Sequence, residues 1–253
     1  FRRTERTRRA TYAGESMHHD LFMLHTPDDL GNKYVLILID EWSDYRWARL
    51  LKSRDEYEGH LIDFVVWMGR RSEGKMKHLS AGESVHEHGL VRIMQDGAGD
   101  STSNFLRRFF AGKAIDVFYA VPGAAEQNGR AEKGGSDIMK TAEALRRGRN
   151  VPKKYLSFAV LAAVYVANRM PNQSSRGGTR TPYEDFEGVE VSWGLLLSPV
   201  HVFGCQCWAV DSAQVRENQT KSERADADVD PCAFLGYAEM KKAFVLLNLR
   251  TGV

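Results

Sequence analysis

Residues 34–39, Tyr-Val-Leu-Ile-Leu-Ile, form an unbroken apolar run rich in β-branched side chains. A run of this length and composition reads as a central strand buried on both faces. Such a strand needs a covering layer on each side of its sheet, which restricts the fold to a layered α/β type. Turn residues Pro27-Asp-Asp-Leu-Gly31 precede the run and Asp40-Glu41 end it. Residues 17–25, with Asp20 near the middle, and residues 44–50 read as the flanking strands. Short connections make the three an antiparallel meander.

Helical and strand patterns then alternate. Ser53-Arg-Asp-Glu56 matches a capping box, and Tyr57, Leu61, Phe64 and Met68 recur at helical spacing, so a helix is expected over 54–70. Residues 71–88 are polar and read as a loop. A strand over 90–95, a helix over 103–113 with Phe105, Phe109 and Phe110 turned inward, and a strand over 115–120 follow. An amphipathic helix is expected over 128–147 and an apolar one over 153–170, stopped by Pro171. Residues 172–198 read as a linker that starts Ser/Gly/Arg-rich. Short strands are expected within 199–210, 232–237 and 243–249, around a charged stretch, 211–230, that reads as a mobile loop. The expected division is a basic arm over 1–15, an α/β core over 16–171, the linker, and a small β-rich module over 199–253.

Composition bounds the function only loosely. The net charge of +2 does not by itself imply a nucleic-acid partner, although Arg2, Arg3, Arg6, Arg8 and Arg9 crowd the first nine residues. No apolar run approaches the length of a membrane span. The start at Phe1 reads as that of a fragment or processed piece. Cys205, Cys207 and Cys232 fit neither a disulfide framework nor a zinc site, and read as reduced cysteines of an intracellular protein. His18 and His19 read as strand residues, and Trp193 and Trp208 as core.

Three acids fall where the elements could converge: Asp20 in the first strand, Asp96 at the end of the fourth, and Glu132 in the first turns of the helix after the fifth. Clustered carboxylates repel, and divalent cations make such a cluster tolerable. Mg²⁺ and Mn²⁺ suit an all-oxygen site completed by substrate phosphate. The same helix carries Gly134 and Gly135, each costing about 1 kcal/mol relative to Ala in a helix interior.

The ordered motifs resemble the integrase region of copia-type long-terminal-repeat retrotransposons. His19-Asp20-Leu21, Ile39-Asp40-Glu41-Trp42-Ser43-Asp44-Tyr45, Gln95-Asp96-Gly97, Gln127-Asn128-Gly129-Arg130-Ala131-Glu132-Lys133, Ala167-Asn168-Arg169-Met170-Pro171, Thr181-Pro182-Tyr183-Glu184, Val202-Phe203-Gly204 and Phe234-Leu235-Gly236-Tyr237 occur in the family's order. The 35 residues between Asp96 and Glu132 match the spacing of its Asp, Asp, 35, Glu signature.

The resemblance implies an RNase H-like mixed five-stranded sheet flanked by helices. It implies a polynucleotidyl transferase that trims element DNA ends and joins them to target DNA, with Asp20, Asp96 and Glu132 holding two Mg²⁺ or Mn²⁺ ions. Gln127, Asn128, Lys133 and Lys140 are the candidate DNA contacts. Homo-oligomers, no membrane, and passage from a cytoplasmic particle to the nucleus follow from the same resemblance. Two alternatives stand beside it. One is a decayed fold that only binds DNA, motivated by Gly134-Gly135 and by the Gly97 that replaces the family's Asn. The other is an RNase H-type nuclease.

Overall fold

The apolar run becomes β2 (Tyr34–Asp40), and Val35 through Ile39 are each 0% exposed. The structure, a computed structural model, describes residues 9–76, 89–95, 103–119, 125–171, 178–210, 229–238 and 243–252. β2 pairs antiparallel with β1 (Ser16–Met23) on one side and with β3 (Arg46–Leu51) on the other. β4 (Arg92–Gln95) adds to the far side of β1, and β5 (Asp116–Tyr119) adds to β4, both parallel. The order β3-β2-β1-β4-β5 is the expected mixed five-stranded sheet.

Side-chain alternation along the strands sends residues to two layers. Met17, Leu36 and Leu38 pack with Tyr57, Leu61 and Phe64 of α1 (Tyr57–Met76) and with Leu106 and Phe110 of α2 (Asn104–Gly112). Val35, Ile37 and Ile39 pack on the opposite face. Their partners there are Ile138 and Ala142 of α3 (Ala125–Gly148) and Ala159, Val160 and Ala163 of α4 (Leu156–Ala167). A separate antiparallel sheet, β6 (Gln206–Val210), β7 (Val229–Tyr237) and β8 (Phe244–Asn248), leans on α4, and Phe203 and Leu235 enter the same core.

Several local expectations give way. The first helix runs on to Met76, six residues into the expected loop; residues 77–88 lie outside the described residues. Ser53 makes no side-chain cap. A 3₁₀ turn, Arg54–Glu56, opens the helix instead, and the Glu56 carboxylate accepts from Lys52 N at 2.7 Å. In α2 the buried stripe is Leu106 and Phe110, while Phe105 is 66% exposed. Phe-Leu-Arg-Arg-Phe-Phe offers two overlapping apolar stripes, and the Leu106 one faces the sheet. Residues 172–198 contain two short helices, α5 (Pro182–Glu187) and α6 (Trp193–Leu197). α5 has a complete capping box between Thr181 and Glu184, and its Phe186 packs edge-on against Trp47 at 4.9 Å. Trp193 and Trp208 are 50% and 61% exposed and are not core residues. Most of the charged stretch, 211–228, lies outside the described residues, as do Lys241 and Lys242.

Two polar devices fix the ends of β2 and β3. The Asp40 carboxylate accepts from Gly14 N at 2.8 Å, Ser43 N at 2.8 Å and Ser43 Oγ at 2.6 Å. It thereby ties the segment before β1 to the β2–β3 turn, while burial pushes its pKa up to about 6. The buried Asn168, just past α4, grips the outer side of β3: its Oδ1 accepts from Arg46 N and its Nδ2 donates to Arg46 O, both at 2.8 Å. Truncating it leaves both backbone groups of Arg46 without that partner. We expect Asn168→Ala to lower stability by about 2 kcal/mol, measured as a shift in the urea midpoint at unchanged slope.

Candidate active site

β1 supplies the first acid. Phe22 packs with the α3–α4 layer and Leu21 with the α1–α2 layer. Strand alternation therefore turns half-buried Asp20 to the same side as Phe22, toward α3. Asp20 Oδ1 accepts from Leu21 N at 2.8 Å. β4 runs alongside in register, with Ser16 opposite Arg92, Met17 opposite Ile93 and His18 opposite Met94. β4 ends at the buried Gln95, and Asp96 itself lies outside the described residues.

α3 supplies Glu132, and its position corrects the sequence reading. The helix starts at Ala125, so Glu132 lies beyond its second turn. The charge of a helix N-terminus acts within about the first turn and does not explain this acid. Ala131, Gly134, Gly135, Ile138 and Ala142 form the buried face, with Glu132 exposed on its flank.

The two glycines explain how close the helix comes. A Cβ on Gly134 would sit 2.5 Å from Ile39 Cδ1, and one on Gly135 would overlap the Phe22 ring. The helix backbone thus rests directly on side chains of β1 and β2. The cost of glycine counted from propensity is offset by an approach no other residue permits.

One turn of positive and negative groups holds the start of this region. Arg130 Nη1 donates to Asp44 Oδ1 at 2.7 Å, and Arg46 Nη2 lies 3.6 Å from Asp44 Oδ2. Asp44 adopts a left-handed backbone, φ 62°, in the β2–β3 turn, where Asp is among the residues that tolerate it. Sequence reasoning missed this pair. The signal was an acid in a turn and a base in a helix, with nothing local to connect them.

The two histidines before Asp20 are buried strand residues, as expected, His18 on the α3 side of the sheet and His19 on the α1 side. Burial, then the neighbouring Arg130, lowers the His18 pKa to about 3; burial lowers that of His19 to about 4. His19 lies 3.3 Å from the Tyr57 hydroxyl through Nδ1. Neither ring nitrogen of His18 has a hydrogen-bond partner among the described residues.

The candidate DNA contacts divide. Lys133 and Lys140, seven residues apart, share the exposed back of α3, and Lys140 lies 4.0 Å from Asp137. Gln127 and Asn128 belong to the first turn of α3, and their side chains lie outside the described residues. Among the described residues no three His, Cys, Asp or Glu side chains are grouped to hold a metal, and no helix is long and apolar enough to cross a membrane.

A mixed five-stranded sheet with helices on both faces has the architecture of an RNase H-like fold. Comparison with known proteins agrees, although no family model matches. The chain is 28% identical over 209 residues to a retrovirus-related Pol polyprotein from transposon TNT 1-94 of Nicotiana tabacum, covering 83% of this chain and 14% of that protein. It is 25% identical over 219 residues to the Pol polyprotein from transposon RE1 of Arabidopsis thaliana, covering 87% and 13%. A simian T-cell lymphotropic virus intasome, solved in complex with PP2A regulatory subunit B56 gamma, superposes with a TM-score of 0.52 at 11% identity. That match covers 94% of this chain and 78% of the viral one, and it concerns the fold alone. The homologues of this chain are thus retrovirus-related Pol polyproteins of plant copia-type transposons, of whose length it spans about one-seventh.

Two outcomes test this geometry. Gly135→Ala should destabilise the protein by about 1–3 kcal/mol through overpacking, and adding Phe22→Ala should recover part of the loss. If helix propensity dominated, the single change would instead stabilise by up to about 1 kcal/mol; thermal unfolding decides. The second outcome concerns acid. The unfolded histidines titrate near 6.5, above their folded values, so the unfolded state binds more protons as pH falls. Their contribution is fully present above about 6.5 and is lost toward 4 and 3. Asp40, raised to about 6, acts in the opposite sense over part of that window, one group against two. Urea midpoints in metal-free buffer should fall below pH 6.5, and His19→Gln should flatten that limb.

Proposed function

We propose that this chain is the integrase part of a retrotransposon Pol polyprotein, a polynucleotidyl transferase that trims element DNA ends and joins them to target DNA. The observation that carries the reading is that α3, the helix bearing Glu132, packs on β1, the strand bearing Asp20, with β4 alongside. Asp96 directly follows Gln95, the last residue of that strand, in the sequence.

Asp20, Asp96 and Glu132 fit a pair of divalent cations in kind, since all three offer carboxylate oxygen, the donor that Mg²⁺ and Mn²⁺ prefer. Ions bound there supply positive charge to the attacking and leaving oxygens of a phosphodiester. The protein contributes position. β1 holds Asp20 in a paired strand, and α3, seated on Phe22 and Ile39, holds Glu132 on a rigid helix. The Arg130–Asp44 pair keeps the N-terminal half of that helix against the β2–β3 turn. Gln127, Asn128, Lys133 and Lys140 contact the DNA backbone in this reading, and the protein works as a homo-oligomer, first in a cytoplasmic particle and then in the nucleus.

The decayed alternative loses part of its motive, because Gly134 and Gly135 have a packing role. Joining of a pre-trimmed duplex end to plasmid DNA should require Mg²⁺ or Mn²⁺ and stop with EDTA. Asp20→Asn and Glu132→Gln should each lower the rate about a hundred-fold or more, the scale set by removing transition-state charge stabilisation. Metal-replete, folded protein that joins no ends would overturn the proposal, and cleavage of RNA–DNA hybrids without joining would favour the nuclease.

A further inference from the structure

A groove of about 600 Å³ lies between the outer edge of β3 and the β7–β8 hairpin, with α4 beneath it. It is remote in sequence from Asp20, Asp96 and Glu132, and the proposed reaction does not use it. Its volume falls within the range of small-molecule sites, roughly 300–1,000 Å³. Among the described residues that line it there are two arginines, Arg46 and Arg169, and no acid.

Each guanidinium is held at one end, Arg46 Nη2 3.6 Å from Asp44 Oδ2 and Arg169 Nη1 donating to Tyr165 O at 3.1 Å. The Arg169 guanidinium lies 3.4 Å from the centre of the Tyr165 ring, and Tyr165 stacks on Tyr237 with centroids 3.4 Å apart and planes 12° from parallel. Arg46 Nε is buried with no hydrogen-bond partner among the described residues. Phe244, half-exposed, forms an aromatic rim beside Tyr237. Arginine with stacked aromatic rings is the combination that binds single-stranded nucleic acid, the rings taking bases and the guanidinium groups taking phosphate.

The strand edge adds a hydrogen-bonding code. Asn168 shows what Arg46 accepts: one donor and one acceptor, side by side on an amide. Alternation along β3 turns the N–H and C=O of Ala48, which also lines the groove, to the same outward side. The Watson–Crick edge of every nucleobase presents such an adjacent donor and acceptor.

We infer that this groove holds one unpaired nucleotide of a single DNA strand. The base edge meets the Ala48 backbone, the ring lies against Tyr237 and Phe244, and the phosphate meets Arg46 and Arg169. This deepens the reading of the chain as a DNA-joining protein and rests on it for the choice of DNA.

The test uses the whole chain and a fluorescein-labelled dT12 strand, read by anisotropy beside dA12, a duplex of the same length and an acidic peptide. Tight binding of dT12 and dA12 over the duplex and the peptide is expected. Phe244→Ala should weaken it about ten-fold, the effect of removing one stacking ring, with its circular dichroism and unfolding midpoint confirming the fold. A strand carrying 5-iodouracil should photo-cross-link to peptides containing Tyr237 or Phe244, mapped by mass spectrometry. Cross-links elsewhere, dT12 binding unaltered in Phe244→Ala, or preference for the acidic peptide would each overturn the inference. The two readings fail separately. Loss of joining in the wild-type protein with dT12 still cross-linked at Phe244 rejects the transferase, whereas joining with no cross-link there rejects the groove.

Discussion

The contact on which the most depends is that of the α3 backbone with Phe22 and Ile39 through Gly134 and Gly135. Without side chains at these two positions the helix axis settles close to the sheet, and α4 then packs against both the helix and the strands. The second sheet rests on α4 in turn, through Phe203 and Leu235. A helix lifted by one methyl would move Glu132 away from β1 and loosen the layers above it. The exposed acid is thus held by residues that never touch it.

Electrostatics completes what packing begins. The α3 face of β1 carries the buried neutral His18 next to Arg130 and Arg92, both of which are drawn into ion pairs with Asp44, Glu15 and Glu41. Positive charge is therefore neutralised at the start of β1, near the β2–β3 turn. The carboxylates Asp20 and Glu132 stand further along. Keeping the histidines uncharged is a matter of burial first.

Much of this was legible in the chain. The run 34–39 announced a strand covered on both sides, and the meander, the alternating helices and the five strands followed from periodicity and turn residues. The ordered motifs named the fold class. What escaped was tertiary. Propensity counts Gly134-Gly135 as a loss, because it scores a helix in water and not one pressed on a phenylalanine. The start of α3 was set three residues late, at 128, where the helix begins at Ala125. Phe105 and the two tryptophans were placed inside because large rings usually are, yet nothing in a single sequence says which stripe finds a partner. Asp20 and Glu132 were singled out from motif and spacing, while the Arg130–Asp44 link, joining residues far apart in the chain, left no local mark.

The mixed pairing of β1 has a consequence for the order of assembly. Its antiparallel partner β2 follows a short turn away and can join early, at little loop-closure cost. Its parallel partner β4 comes only after α1, and α3 only after β5. Contacts so distant in sequence form slowly. During synthesis, β1 thus exists well before β4 and α3, the elements that pack beside and upon it. The surroundings of β1 are complete only when the chain through α3 has been made, a built-in timing for a segment whose relatives are parts of much longer polyproteins.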